Sequence, residues 1–473
     1  MILAFEFKCF DNHEILAHML KFHAKNFKNS IVIKDDSVTL FVSGDEQDIL
    51  AFSDILGKNL SFSIFVTDSK VFVTEIFAQN STLSNDVFCP NLTPMQVEKY
   101  HETHSLVKNE FETKSQISVF GKQVDEMNFN ELLDRVCDFL TQGKDVVLTW
   151  QGKDFKLSLL DTLASFDFII PTNLSFLNNI FECNYTALKA LASLEKPLIK
   201  LKTNAIFRQN HKDEPTFSHI KAPSDIFTYA VCEKLAKNAV KFIGVKNTQA
   251  VNLQKVILLE NGFLAASSKK YLPTGDHFMI RLNKNGDDGI FFSRKNENIS
   301  LLLAPSFSSF DEILNLENGQ KLLKNFKANF KLTNISQNSG FYTLFSIVAA
   351  LLKQKKETKD CAQNLFDLAF DFGANRGVLI ECKRDKLKFE NAKFIRSAMS
   401  FMLAGATDKN IAYGAISSLA GFLNDLLLEC DLVSKDVLLC GDVFDDEIVA
   451  KIFHREISNF NIFFENKVFL EQK

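Results

Sequence analysis

ILAFEFKCFDNHEILAHMLKFHAKNFKNSIVIKDDSVTLFV, residues 2–42, changes its hydrophobic period three times. ILAFEFKCF is strand-like, and Ile15, Leu16, Met19, Leu20 and Phe22 then recur at helical spacing. Two strand candidates follow, Ser30–Ile33 and Val38–Val42, joined by the turn-prone Asp35-Asp36. Beyond them the pattern predicts a helix over Glu46–Leu56 and strands through Ser61–Val66 and Lys70–Phe77. The order β-α-β-β-α-β is that of the split βαβ, ferredoxin-like unit, and it closes by about residue 80.

The whole chain has 473 residues, 54 Lys+Arg against 58 Asp+Glu, 46% hydrophobic and 24% charged residues. At roughly 100–200 residues per domain this length predicts two to four domains, each able to bury a core. A net charge of −4 supplies no general pull towards nucleic acid or an anionic membrane. The 48 Phe carry more buriable surface than a disordered chain has. MILAFEFK lacks the basic, apolar and small-residue segments of a secretion signal. The apolar run Phe341–Leu352 is too short for a bilayer core of roughly 30 Å. Nine scattered cysteines without a CxxC pair indicate neither a zinc ribbon nor a thiol redox site, and they suit a reducing compartment. The expected location is cytoplasmic.

After the first unit (residues 1–80), AQNSTLSND and CPNLTP mark a polar connector over 81–115. A mixed region, 116–250, holds a helix (Phe129–Gln142) and strands at Asp145–Trp150 and near Pro197–Leu201. It ends with a Ser224-capped helix feeding the strand Val240–Val245. The third region, 251–473, begins with strands (Lys255–Leu259, Gly262–Ser267, Phe278–Leu282, Ile299–Leu303). Long helices follow (Ser339–Leu352, Cys361–Phe370, Phe394–Leu403, Asp408–Glu429), then a strand (Asp436–Cys440) and a short helix after Phe444.

Three local motifs carry chemistry weakly. His101-Glu102-Thr103-His104, with distant Cys89, is an incomplete ligand set for zinc and reads as a solvated helix start. Asp371–Gly377 looks like the phosphate loop of actin/hexokinase-type ATPases, yet it follows a helix, so Gly373 reads as a helix-end glycine. Gly441–Glu447 follows the apolar strand VLLC and opens a helix, where backbone N–H groups can face a phosphate. Its acidic residues, Asp442, Asp445, Asp446 and Glu447, stabilise a helix N-terminus and repel a phosphate. The basic tract Lys353–Lys359 reads as a solvated connector.

Taken in order, these segments resemble a reduced HypF, the carbamoyltransferase family that matures [NiFe]-hydrogenases. That family joins an acylphosphatase-like domain, a zinc-finger linker, a YrdC-like domain and a Kae1-like domain. VFCPNLTP (87–94) looks like the start of the linker, and FLTQGKDVVLTWQGK like the beginning of the YrdC-like domain. PSDIFTYAVCEKLAKNAVKFIGVKN resembles the segment ending in TSGN, with Asn247 kept and Val245 in place of Ser. SGFYTLFSIVAALL (339–352) is similar to GRLFDAVAALL, and VLLCGDVFDDEIV to VALSGGVFQNRLL. The implied fold class is α+β / α/β multidomain, acylphosphatase-like, YrdC-like and Kae1-like (actin/hexokinase-type) in turn.

The departures matter as much. Asp11, Asn12 and His13 occupy the turn where the family has its Arg-containing acylphosphatase loop, so no guanidinium cradles a phosphate. The linker keeps Cys89 without paired cysteines, and no metal is expected. Ala190–Leu194 supply no cation, Ser346 stands for Asp, and Asp442 for the second Gly of the phosphate turn. These losses, each a missing donor to developing charge, imply a non-catalytic, HydE-like accessory protein of hydrogenase maturation that binds a hydrogenase subunit or maturation protein. No cofactor is expected, with ATP as the exception if the alternative holds: an active ATP-dependent carbamoyltransferase with a rebuilt site. Its candidate nucleotide contacts are Lys196, Lys200, Lys202, Asn247, Gly340 and Gly441.

Overall fold

The computed structural model describes residues 1–84, 87–89, 91–111, 117–248, 253–267, 269–295, 297–335, 339–358, 361–430 and 434–471. Pro90 of the linker motif and Lys359 of the basic tract lie outside the described residues. The chain divides into two compact units, Met1–Lys269 with Leu470–Lys473, and Lys270–Phe469.

The first unit starts with β1 (Ile2–Cys9), α1 (His13–His23), β2 (Lys28–Ile33), β3 (Ser37–Ser43), α2 (Glu46–Asn59) and β4 (Val66–Thr74). The strands pair antiparallel in the order β2-β3-β1-β4, the ferredoxin-like arrangement expected. Phe5 of β1 meets Phe52 of α2 edge to face at 5.6 Å, and Leu16, Met19 and Leu20 bury the inner face of α1. The expected strand over Ser61–Val66 does not form; β4 alone closes the sheet. The reason is a carboxylate. Ser63 Oγ donates to Glu195 Oε1 at 2.6 Å and the Ile64 N–H to Glu195 Oε2 at 3.0 Å, so this segment bonds to Glu195.

The connector is not wholly irregular, since α3 (Pro94–Thr103) starts inside it, with Pro94 in its first turn and the Thr93 hydroxyl accepting from the Gln96 N–H. There follow β5 (Ile117–Val119), β6 (Lys122–Gln123), α4 (Phe129–Thr141), β7 (Val146–Trp150), β8 (Lys153–Leu159), β9 (Phe168–Pro171), α5 (Tyr185–Ala192) and β10 (Leu198–Lys202). Then come α6 (Ala205–Asn210), β11 (Phe217–Ile220), α7 (Ile226–Lys237), β12 (Phe242–Asn247), β13 (Lys255–Leu259) and β14 (Gly262–Ala266). One mixed sheet takes the strands in the order β14-β13-β10-β11-β9-β12-β8-β7-β5-β6, and Leu470 of the same unit lies against Gly262 of β14. Phe129 of α4 packs edge-on against Phe227 of α7 at 5.7 Å in the core that these helices share with the sheet. The cap of α7 is Asp225, whose carboxylate accepts the Phe227 N–H at 2.7 Å, and not Ser224. β13 pairs in parallel with β10, so the first two strands expected in the third region, Lys255–Leu259 and Gly262–Ser267, belong to this unit, and Phe278–Leu282 and Ile299–Leu303 to the second.

The second unit holds β15 (His277–Arg281), β16 (Gly289–Arg294), β17 (Glu297–Leu303), α8 (Gly319–Asn329), α9 (Phe341–Leu352), α10 (Ala362–Phe370), β18 (Arg384–Asp385), β19 (Lys388–Phe389), α11 (Asn391–Leu403), α12 (Asp408–Glu429), β20 (Asp436–Cys440), α13 (Glu447–Glu456) and β21 (Asn461–Phe464). Its sheet runs β17-β16-β15-β20-β21; β15, β20 and β21 are parallel and the β15–β16–β17 meander antiparallel. All of α9 is buried. α12 has the length and apolar character to cross a bilayer, but 67% of its apolar window is buried inside the protein. Gly373, at φ +71°, follows the end of α10, as the helix-end reading expects.

Glu195 ties the ferredoxin-like sheet to the second sheet of the same unit. Glu195→Ala strands three donors, Ser63 Oγ, the Ile64 N–H and Asn12 Nδ2, and it is expected to lower stability by about 2 kcal/mol, read as an earlier urea midpoint for the first unit.

Candidate functional site

β15 and β20 lie side by side in parallel, Phe278 opposite Val437 through Arg281 opposite Cys440, so their carboxyl ends emerge together at Leu282 and Gly441. In an open sheet, the crevice beyond such ends is where a ligand usually sits. Here the hairpin Leu282–Asp288, the Gly441 turn and the start of α9 converge. Gly441 (φ +102°) lies so close to the hairpin that a Cβ would stand 2.6 Å from Asn283 Oδ1. Gly340 (φ +88°) is as tight, with 2.8 Å to Gly286 Cα and 2.9 Å to Asp288 Oδ2. Both predicted glycines are thus brought to one loop cluster, and both are required there by positive φ and close packing.

The cluster's donors are already taken. Asp288 Oδ1 accepts the Asn283 N–H at 2.6 Å and its Oδ2 the Phe341 N–H at 2.5 Å, so a carboxylate of the chain occupies the N-terminus of α9. Asp442 Oδ1 accepts the Lys284 N–H at 2.7 Å, and Asn283 Oδ1 accepts the Asp442 N–H at 3.3 Å. Burial pushes Asp288 up to about 6, against its two N–H bonds, and nearby Asp287 and Asp442 push the same way. Downstream, Asp446 caps α13 by accepting the Ile448 N–H, in line with the helix-dipole reading of the acidic run. A phosphate would meet three carboxylates and spent amides; the donor set does not fit one.

In the first unit the four other candidates do not form one cluster. Lys200 and Lys202 share a face of β10, with the Lys200 ammonium 3.6 Å from the centre of the Phe217 ring and His219 directly across the ladder. Burial, then the charge of Lys200, lowers His219 to about 4. Asn247 ends β12, its N–H donating to Asp167 Oδ2 at 2.7 Å and its Oδ1 buried. Lys196 has φ +46° and donates to the Ala192 carbonyl at 2.8 Å. It lines a groove of about 850 Å³ with Thr93, His101, Tyr229 and Glu233.

One group that the sequence reading did not single out is Lys221. It is 8% exposed and donates to the Lys196 carbonyl. Burial lowers it to about 7 and Lys196 to about 8. Its signal in the sequence is slight, a single lysine set in the apolar HIKAPSDIF. His101 and His104 come at the end of α3 and not at its start: His101 Nε2 lies 3.1 Å from Tyr229 Oη, its Nδ1 3.6 Å from Glu233, and His104 has φ +49°. Cys89 packs with Met19 and Leu194. Among the described residues no three His, Cys, Asp or Glu gather as metal ligands.

Asp288 has a testable signature. Raising a carboxyl from 3.8 to about 6 means that the folded state holds this proton more tightly than the unfolded chain. Its stabilising effect is complete below about pH 4 and is lost as pH rises to about 6, roughly 3 kcal/mol in all. Asp288→Asn should flatten the pH 4–6 slope of unfolding free energy; an unchanged slope would assign it elsewhere.

No family model matches the chain. It is 20% identical to Protein HydE of Wolinella succinogenes, over 86% of this chain and 87% of that one. Among solved structures it is similar to full-length HypF in a phosphate- and nucleotide-bound form, with a TM-score of 0.57 and 12% identity over 98% of this chain and 96% of that one. HypF from T. kodakarensis matches with a TM-score of 0.59 and 10% identity over the same shares. In fold, the chain is HypF-like across nearly its whole length.

Proposed function

We propose that this chain is a HypF-derived accessory protein of [NiFe]-hydrogenase maturation or assembly, acting in the cytoplasm by binding a hydrogenase subunit or maturation protein and not by carbamoyl transfer. The HypF-like fold and the similarity to a protein named HydE support the biological setting. The observation that carries the non-catalytic reading is Asp288, whose carboxylate takes the amides at the start of α9 and at Asn283. In this reading residues 1–80 are acylphosphatase-like, 81–115 a zinc-finger remnant, the following block to Lys269 YrdC-like, and the second unit Kae1-like.

One feature favours the alternative, an ATP-dependent carbamoyltransferase with a rebuilt site: the buried Lys221 amine donates to the backbone carbonyl of Lys196, and burial lowers both lysines. That reading takes Lys196, Lys200, Lys202 and Asn247 as nucleotide contacts, and the spread of the last three over β10 and β12 weighs against it.

The purified chain is expected to show no ATP-dependent pyrophosphate exchange with carbamoyl phosphate. Turnover abolished by Lys200→Ala would replace the scaffold with the enzyme. Deleting the gene is expected to lower hydrogenase activity and leave the subunit unprocessed, whereas normal, fully processed hydrogenase would remove the maturation role.

A further inference from the structure

Lys221 sits in a cavity that none of the candidate nucleotide contacts lines. The space, about 50 Å³, is walled by Leu148, Phe155, Leu157, Phe168 and Val245, with Lys221, Ser224, Asp225 and Thr228 as its polar members. It has room for a group of a few heavy atoms. The Lys221 ammonium has one hydrogen bond, to a neutral acceptor, the Lys196 carbonyl. Its charged neighbour in the electrostatics is Lys196, of like sign. A cation so placed loses hydration without gaining a counter-ion, so desolvation and repulsion both favour the neutral amine. A neutral primary amine is a nucleophile.

A second, separate observation points to what the amine takes. Trp150, whose ring centre lies 6.0 Å from Lys221 Nζ, also lines the cavity, and its buried indole N–H has no hydrogen-bond partner. Indole N–H is a donor only, so the vacancy is for an acceptor. The cavity therefore combines a nucleophilic nitrogen, an unspent donor and an apolar wall.

We propose that Lys221 is a carbamate-forming lysine that takes up carbon dioxide. The Nζ lone pair attacks the carbon and a C–N bond forms. One C=O π pair moves onto oxygen, and a proton leaves Nζ for solvent. The product keeps one N–H, sufficient for the bond to the Lys196 carbonyl, and presents two acceptor oxygens to the Trp150 N–H and the hydroxyl of Thr228. It also reverses the local charge. Lys196 changes from a repelling neighbour to the counter-ion. The carboxylate on this wall, Asp225, is held as the α7 cap on the Phe227 N–H. Carbon dioxide suits the apolar lining as a small uncharged molecule, and the anion arises only after it has entered. The inference concerns this chain's own lysine and stands apart from the maturation proposal.

The test uses the full chain equilibrated with ¹³C-labelled bicarbonate and carbon dioxide. Carbamate is read by ¹³C NMR, and its site by trapping with triethyloxonium ion before peptide mass spectrometry. The expected result is a carbamate resonance with the trapped group on the Lys221 peptide, dependent on carbon dioxide and absent from Lys221→Met. Because that variant removes a buried side chain, Trp150→Phe is measured beside it: it keeps the amine, removes the N–H and should lower occupancy several-fold. A wild-type chain without an adduct on Lys221, or trapped groups on exposed lysines alone, overturns the proposal. Unchanged occupancy in Trp150→Phe overturns the assigned acceptor pocket.

Discussion

A buried carboxylate held between two backbone amides organises the second unit. Asp288 is the residue at which the hairpin after β15 and the first turn of α9 become one structure. α9 is buried along its full length, so its N-terminal N–H groups have no route to water except through this loop cluster. An unmet amide there costs on the order of 1–3 kcal/mol, more than the net worth of an ordinary hydrogen bond. The carboxylate meets that need, and its own burial is the cost, visible as the raised Asp288. The placement of Gly340, Gly441 and the acidic turn follows from it.

The first unit uses the same device twice. Glu195 accepts from Ser63 Oγ and the Ile64 N–H, where a strand would otherwise have continued. At the turn after β1, Asp11 accepts the Asn12 N–H at 2.8 Å and the Ser267 hydroxyl at 2.9 Å. Asn12 there is left-handed, φ +59°, so the loop is shaped to present its amides, and a side chain of the protein receives one of them. In each case an internal acid satisfies a backbone amide and a hydroxyl at a turn.

The elements legible in the sequence were those whose hydrophobic period is long or whose ends are marked. α12 and β20 have the bounds expected, and β1 through α2 keep their order, because amphipathic helices and alternating strands write burial directly into spacing. What escaped was short or set by distant partners. β16 and α8 were missed, the former only six residues long and behind the polar hairpin Leu282–Asp288. Ser61–Val66 reads as a strand locally and is redirected by Glu195, over 130 positions away. The cap of α7 moved one residue because Ser224 and Asp225 are equally good caps in composition, and only the backbone at the turn chooses between them. Of the site residues, Gly340 and Gly441 do share a cluster, while the lysines of β10 and Asn247 are spread along a sheet whose order, β10-β11-β9-β12, no local pattern reveals.

The two glycines also show why a kept motif is poor evidence for a kept ligand. In a phosphate turn, glycine lets the backbone approach the anion; here the same absence of a side chain lets Gly441 approach Asn283 and Gly340 approach Gly286 and Asp288. Positive φ at both positions penalises any other residue whether or not a ligand binds. Packing alone therefore accounts for both glycines, with Asp442 beside Gly441 bonded to the Lys284 N–H. The informative residues are the carboxylates: Asp288 and Asp442 hold the amides of the second unit's loop cluster, and that acidic chemistry does not suit cradling a phosphate there.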